Sequence, residues 1–216
     1  MKNRYFHRTM LACALATSLF GALPAHAAAP SASLYVRGSI GVPGCNVSTA
    51  NDGVYDFGRI ASSLIKPGTA TTTLDSMEKS WTVSCDAQTF LGFTVIDNRS
   101  GTASLDRVNN FGLGNVNETG KIGYYTVQMK DGAVDGKSSY LYATPGTSST
   151  ASPSVYLGTN AQLGWAAGSN TQKAGKVFTA TLAVTPTLAG STTMGGPITD
   201  EVSLDGSLTL NFAFGL

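Results

Sequence analysis

Histidine is nearly missing from this chain of 216 residues: there are two, His7 and His26. Cysteine is scarce as well, with three, and charged residues make up 12% of the total. That charged share is about half of the ~25% of an ordinary globular protein. Each shortage excludes something. A chain so poor in Glu and Lys is neither a charged helical bundle nor a coiled coil. A formal net charge of +1 leaves no basic footprint for nucleic acid. The 25 Gly follow no fixed period, which excludes a collagen-like helix. With 42% hydrophobic residues the chain is too apolar for a disordered tail.

What is present begins with a targeting segment. Lys2, Arg4 and Arg8 precede an apolar stretch over residues 10–23, which ends at Pro24 and the small-residue site Ala25-His26-Ala27. This layout predicts a secretory signal peptide over 1–27, cleaved after Ala27. The stretch falls short of the ~20 residues that a membrane span needs, and no second apolar run follows. A single domain is expected over 28–216. It keeps 11 of the 14 basic residues and all 13 acidic ones, a net charge of −2.

Removal of the leader takes both histidines and Cys13 with it. No Ser-His-Asp triad or Cys-His pair can then form, and metal sites built on imidazole are excluded. No catalytic residue, metal or cofactor is expected. Cys45 and Cys85 remain, and two cysteines in an exported chain predict one disulfide.

The rest of the chain reads as strands. Alternation of apolar and polar residues appears over 32–40 (Leu34, Val36, Gly38, Ile40), 54–58, 80–85 (Trp81, Val83, Cys85), 121–129 and 176–185. Residues 90–96 form a more continuous apolar run, which suggests a strand covered on both faces. Turn clusters separate these segments: Asn51-Asp52-Gly53, Lys66-Pro67-Gly68, Lys130-Asp131-Gly132, Thr144-Pro145-Gly146 and Gly195-Gly196-Pro197. Residues 143–173, rich in Ser, Thr, Gly and Ala, read as long connections. Short strands between turns predict an all-β sandwich or barrel.

The C-terminal stretch is the most regular. Leu204, Leu208, Leu210, Phe212, Phe214 and Leu216 alternate with polar or small residues, and Gly206 is the one gap on the apolar side. A strand is expected over 203–216. Unpaired, it would invite aggregation, so it needs a partner in its own sheet or in another protein.

Several of these features together resemble the pilin subunits of Gram-negative chaperone–usher fimbriae. They are the signal peptide, Val36-Arg37-Gly38-Ser39-Ile40 before Cys45, the stretch Val54-Tyr55-Asp56-Phe57-Gly58-Arg59-Ile60, Trp81-Thr82-Val83-Ser84-Cys85-Asp86, Ile122-Gly123-Tyr124-Tyr125-Thr126-Val127 and the alternating end. Phe93-Thr94-Val95-Ile96-Asp97-Asn98-Arg99 and Phe111-Gly112-Leu113-Gly114 resemble more closely an uncharacterised branch of exported fimbrial-like proteins.

The resemblance implies an immunoglobulin-like, pilin-type β-sandwich that lacks its last strand. A periplasmic chaperone would supply that strand first, and another fimbrial subunit would supply it in the fibre, with an outer-membrane usher between the two steps. The protein would pass through the periplasm to a cell-surface fimbria as a structural or adhesive subunit. Leu204, Leu208, Leu210, Phe212, Phe214 and Leu216 would then form the chaperone-binding and strand-exchange surface. Residues 28–33 offer only small side chains and Pro30, so either Leu34 and Val36 act as donor residues or the subunit donates poorly. The alternative is a stand-alone exported binding module with a complete sandwich, for instance for glycan.

Catalytic motifs were weighed against this reading. Ser76-Met77-Glu78-Lys79 fits the S-x-x-K pattern, but the K-T-G element that accompanies it is missing. Asp200-Glu201 and Asp131/Asp135 read as solvated turn carboxylates. Trp81 reads as core, and Trp165 as either core or a sugar platform.

Overall fold

The computed structural model describes residues 31–38 and 41–215. The chain divides into two units, Met1–Ile40 and Gly41–Leu216. In the first, residues 31–38 have no regular secondary structure, and Leu34, Tyr35 and Val36 are exposed. The strand expected over 32–40 is therefore corrected as far as Gly38. Ser39, Ile40, Leu216 and the predicted leader lie outside the described residues. Alternation marks a stretch able to bury one face, whereas a ladder partner is a separate requirement.

The second unit is an all-β sandwich. Its strands of three or more residues are β1 (Cys45–Thr49), β2 (Met77–Asp97), β3 (Gly123–Val134), β4 (Tyr140–Thr144), β5 (Ser154–Tyr156), β6 (Gln162–Gly168), β7 (Ala174–Leu188) and β8 (Leu208–Gly215). All the ladders between them are antiparallel. The long strand β2 organises the rest. Its first half lies between β1 and β7, and its second half between β8 and β6. At the junction the β2–β7 register slips between Gly175 and Val177, and β2 passes from one layer to the other.

On one margin the two layers are continuous. From β2 the ladders run to β7, β3 and β5. Leu141 and Ser152 then exchange two backbone bonds of 2.8 and 2.9 Å, which tie the chain ahead of β5 to β4. β4 pairs with β6, and β6 returns to β2.

The core lies between the layers. Leu91, Phe93 and Val95 in the second half of β2 face Tyr125, Val127 and Met129 of β3 and Phe178, Ala180, Leu182 and Val184 of β7, while Val83 lies beside Phe178 in the β2–β7 ladder. Leu141, Leu163 and Trp165 close its far side. Aromatic rings cross the sandwich in sequence. The ring centroids of Phe212 and Phe93 are 5.3 Å apart, those of Phe93 and Trp165 6.3 Å, and those of Trp165 and Phe178 5.2 Å. Trp165 is thus core and no sugar platform: it is 3% exposed, and its indole N–H donates to the Thr179 carbonyl at 2.8 Å.

Four further expectations are corrected. Residues 143–173 are no long connection, because they carry the end of β4, all of β5 and β6, and Trp165. Small residues hid these strands: the position of a Cβ on Gly164 would be 2.8 Å from the Leu91 carbonyl, so only glycine fits there. Lys130-Asp131-Gly132 is not a turn but a bulge inside β3. Asp131 takes a left-handed φ of 53° where the register against β7 shifts. β2 is not covered on both faces over 90–96, since Phe90 and Ile96 are exposed while Leu91, Phe93 and Val95 are buried. Residues 54–58 alternate in burial as expected, yet no strand forms there.

Candidate groove beside the C-terminal strand

β8 pairs with β2 from Leu208↔Asp97 to Gly215↔Phe90, and among the described residues its other edge has no partner. β8 starts at Leu208 rather than at 203, because Arg99 holds the approach. The Arg99 guanidinium pairs with the Asp205 carboxylate, and its Nε donates to the Asp205 carbonyl. Leu208, Leu210 and Phe212 are half-buried against the core, as is Leu204 ahead of the strand. Thr209, Asn211 and Ala213 are exposed, so the strand is one-faced over these positions. Phe214 points to the core side but is 38% exposed near the strand's end.

Across from this edge run residues 54–60. They have no regular secondary structure, with Tyr55, Phe57 and Ile60 half-buried against the core and Val54, Asp56, Gly58 and Arg59 exposed. Between residues 54–60 and the start of β8 lies a groove whose two lobes meet at Val54, Tyr55, Phe57 and Leu204. The upper lobe, about 380 Å³, has Trp81, Tyr125, Val127 and Leu182 in its floor and Leu208 and Leu210 on its β8 side. The lower lobe, about 840 Å³, reaches Ile122, Leu188, Met194 and Ile198. Its rim carries Asp56, Arg59, Asp200 and Glu201.

Side chains fix the upper lobe. The Trp81 indole N–H donates to the Tyr55 hydroxyl at 3.0 Å, which donates in turn to the Leu182 carbonyl at 3.1 Å. Burial pushes the Tyr55 hydroxyl above its ordinary pKa, and the Trp81 hydrogen bond partly offsets this, so the proton needed for Leu182 stays in place at neutral pH. The Lys79 ammonium lies 5.5 Å from the centre of the Tyr55 ring. Gly206 passes directly over Tyr125: a Cβ there would be 2.8 Å from the Tyr125 ring, so the gap in the apolar pattern is a steric requirement. Burial, with the Asp97 carboxylate nearby, pushes the Tyr125 hydroxyl well up.

The disulfide anchors this margin. Cys45 and Cys85 are bonded and face each other across the β1–β2 ladder with Cα atoms 4.1 Å apart. The Asp86 N–H donates to the Gly44 carbonyl in the adjacent pair. The cysteines therefore occupy a non-hydrogen-bonded position, where antiparallel Cα atoms come closest.

Of the other sequence candidates, Lys79 lies against Tyr55 and Asp200 and Glu201 line the lower lobe, but the candidates do not converge on one another. The Ser76 hydroxyl reaches only the Val184 carbonyl, at 3.4 Å, and the Lys79 ammonium donates to the Ala50 carbonyl. Asp135 accepts the Lys176 and Val177 N–H groups at the β7 bulge, and these two bonds hold its carboxyl below the usual range. No cluster of three or more His, Cys, Asp or Glu among the described residues could hold a metal. No helix among them is long and apolar enough to cross a membrane. Sequence reasoning placed β8 at the site but missed Tyr55 and Phe57 as its opposite wall and Trp81 in its floor. The alternation over 54–58 is the available signal, and by itself it reads as a strand.

The family described as "Protein of unknown function (DUF1120)" matches residues 34–109. The match includes residues 54–60, one wall of the groove, and Trp81 of β2 in its floor. No curated protein and no solved structure matches the chain.

Proposed function

We propose that the protein is a structural or adhesive subunit of a chaperone–usher fimbria, assembled when a strand from another protein enters the groove beside β8. The observation that carries the reading is one margin of the sandwich. There, among the described residues, β8 presents an unpaired backbone edge of eight residues, and Leu208 and Leu210 at its start line the upper lobe of the groove. Strand addition suits this geometry. Backbone bonds to the β8 edge supply affinity, and alternate side chains descending into the lobes set the register.

The partner in transit is a periplasmic chaperone, followed at the usher by another subunit. Leu204, Leu208, Leu210, Phe212, Phe214 and Leu216 make the exchange surface on this side. Leu34 and Val36, exposed in the first unit, are the donor residues offered to the next subunit. The disulfide fits an exported protein. The reading assigns the protein no catalysis, metal or cofactor.

The test is recovery of the protein from the periplasm of a Gram-negative host carrying a cognate chaperone. A one-to-one complex is expected. Leu210→Asp, which sets a charge on the groove side of β8, should abolish it. Thr209→Asp, one position along and facing solvent, should leave it intact. Recovery of a monomer that binds neither chaperone nor its own kind would sink the fimbrial reading and favour a stand-alone binding module.

A further inference from the structure

Residues 54–60 form one wall of the groove, yet hardly any backbone bond holds them. Among the described residues, their backbone N–H groups make two hydrogen bonds. Val54 donates to the Asn51 carbonyl and Gly58 donates to the Asp56 carboxylate, both within two or three residues. No ladder bond ties the segment to either layer. It is held by side chains instead: the Tyr55 hydroxyl bonded to Trp81 and Leu182, with Phe57 and Ile60 half-buried.

Its ends are built to turn. Asn51, Asp52 and Gly53 all take left-handed φ values, of 52°, 46° and 82°, and Gly58 takes 61°. A 3₁₀ turn, Ser62–Leu64, follows. The segment also interrupts the groove. Val54, Tyr55 and Phe57, with Leu204 opposite, line both lobes, so they stand where the lobes meet. An extended strand that filled both lobes would have to move them.

We propose that residues 54–60 are a strap that lifts to admit a strand and closes on it afterwards, with the Tyr55 hydroxyl as its latch. The inference rests on the strand-acceptor reading of the groove and adds how the groove is opened. The unpaired backbone of the strap becomes useful in the closed complex, where it faces the second edge of the incoming strand. A segment held by ladder bonds could not lift without breaking several of them. A segment held by one hydroxyl and by the half-buried Tyr55, Phe57 and Ile60 side chains breaks no ladder bond when it opens.

Trypsin cleavage after Arg59 reads the lifting directly. A protease needs several residues of freed chain around the bond it cuts, and the cleavage rate follows the open population when closing is fast. In the full exported protein, Tyr55→Phe removes both latch bonds and keeps the ring. Cleavage after Arg59 should rise about tenfold or more, the effect of two net hydrogen bonds, while cleavage after Lys130 in β3 stays as it was. Trp81→Phe, which removes only the N–H donor, should raise it less. Unchanged cleavage after Arg59 in Tyr55→Phe overturns the latch, and a parallel rise after Lys130 overturns the strap as a separately opening unit.

A synthetic peptide copying residues 32–41 supplies the second arm. It should enter Tyr55→Phe severalfold faster than the unaltered protein and then suppress cleavage after Arg59 in both. Equal rates of entry would overturn the gating role while leaving the groove a strand acceptor. A peptide that bound neither protein would overturn the acceptor reading and the gating with it. The cleavage arm would then show separately whether the strap opens.

Discussion

On one margin of the sandwich, β4 and the chain ahead of β5 are joined by the two Leu141–Ser152 backbone bonds, over a core in which Leu141, Leu163 and Trp165 are all buried. On the other margin, β8 and residues 54–60 face each other across a groove, and their own core-facing side chains, Leu208, Leu210 and Phe212 on one wall and Tyr55 and Phe57 on the other, are only half-buried. The apolar residues are of the same kinds on both margins. What differs is whether each backbone edge has found a partner. Burial of side chains and pairing of edges are separate conditions, and a margin that meets only the first is one that a second chain can finish.

The contrast can be broken from the closed side first. Trp165→Ala removes the largest ring of the aromatic crossing and leaves the Thr179 carbonyl without its donor. A loss of about 3–5 kcal/mol is expected in denaturant unfolding, the usual cost of truncating a buried aromatic. A loss under about 1 kcal/mol would mean that this margin is no better packed than the open one.

The disulfide ties the open margin down. Cys45→Ala with Cys85→Ala opens a loop with a sequence separation of 40. The chain-entropy model gives roughly 4 kcal/mol for such a loop, and strained bridges deliver less. Unfolding of the double variant against the oxidised protein measures it. An effect near zero would show that β1 holds its place through the ladder alone.

The open margin itself is tested by a pair. Phe212 packs on Phe93, so Phe212→Asp sets a charge against a half-buried apolar face and should cost about 2–4 kcal/mol. Thr209→Asp, on the exposed face of the same strand, should stay within about 0.5 kcal/mol. Equal effects would show that both faces of β8 are covered.

The smallest effect concerns acid. Asp135 titrates below its ordinary value of 3.8 because the Lys176 and Val177 N–H groups stabilise the carboxylate. A depressed folded-state pKa contributes stability above the unfolded value, which is lost as pH falls through the folded one. Asp135→Asn should therefore lower stability slightly at pH 7, leave it unchanged in strong acid, and so flatten the acid limb of the stability curve below about pH 4. A large effect at pH 7 would mean that the β7 bulge depends on the carboxylate for more than its charge.

The sequence by itself settled the class of fold, because period-two alternation is local: β8, β3, β7 and the first half of β2 could each be read from which residues are apolar. It settled the cysteine pair by elimination. It also marked Gly206 as the break in the apolar side of the C-terminal stretch, although only the Tyr125 ring beneath it explains why glycine stands there. The rest depended on what lay across from each segment. Residues 54–60 carry the same alternation as a strand and are not one, while β6, disguised by Gly and Ala, is paired on both edges. Alternation records which face a segment can bury. Whether its edge meets another backbone is decided by residues far away in the chain, so the open edge of β8, and with it the groove, belongs to the tertiary structure alone.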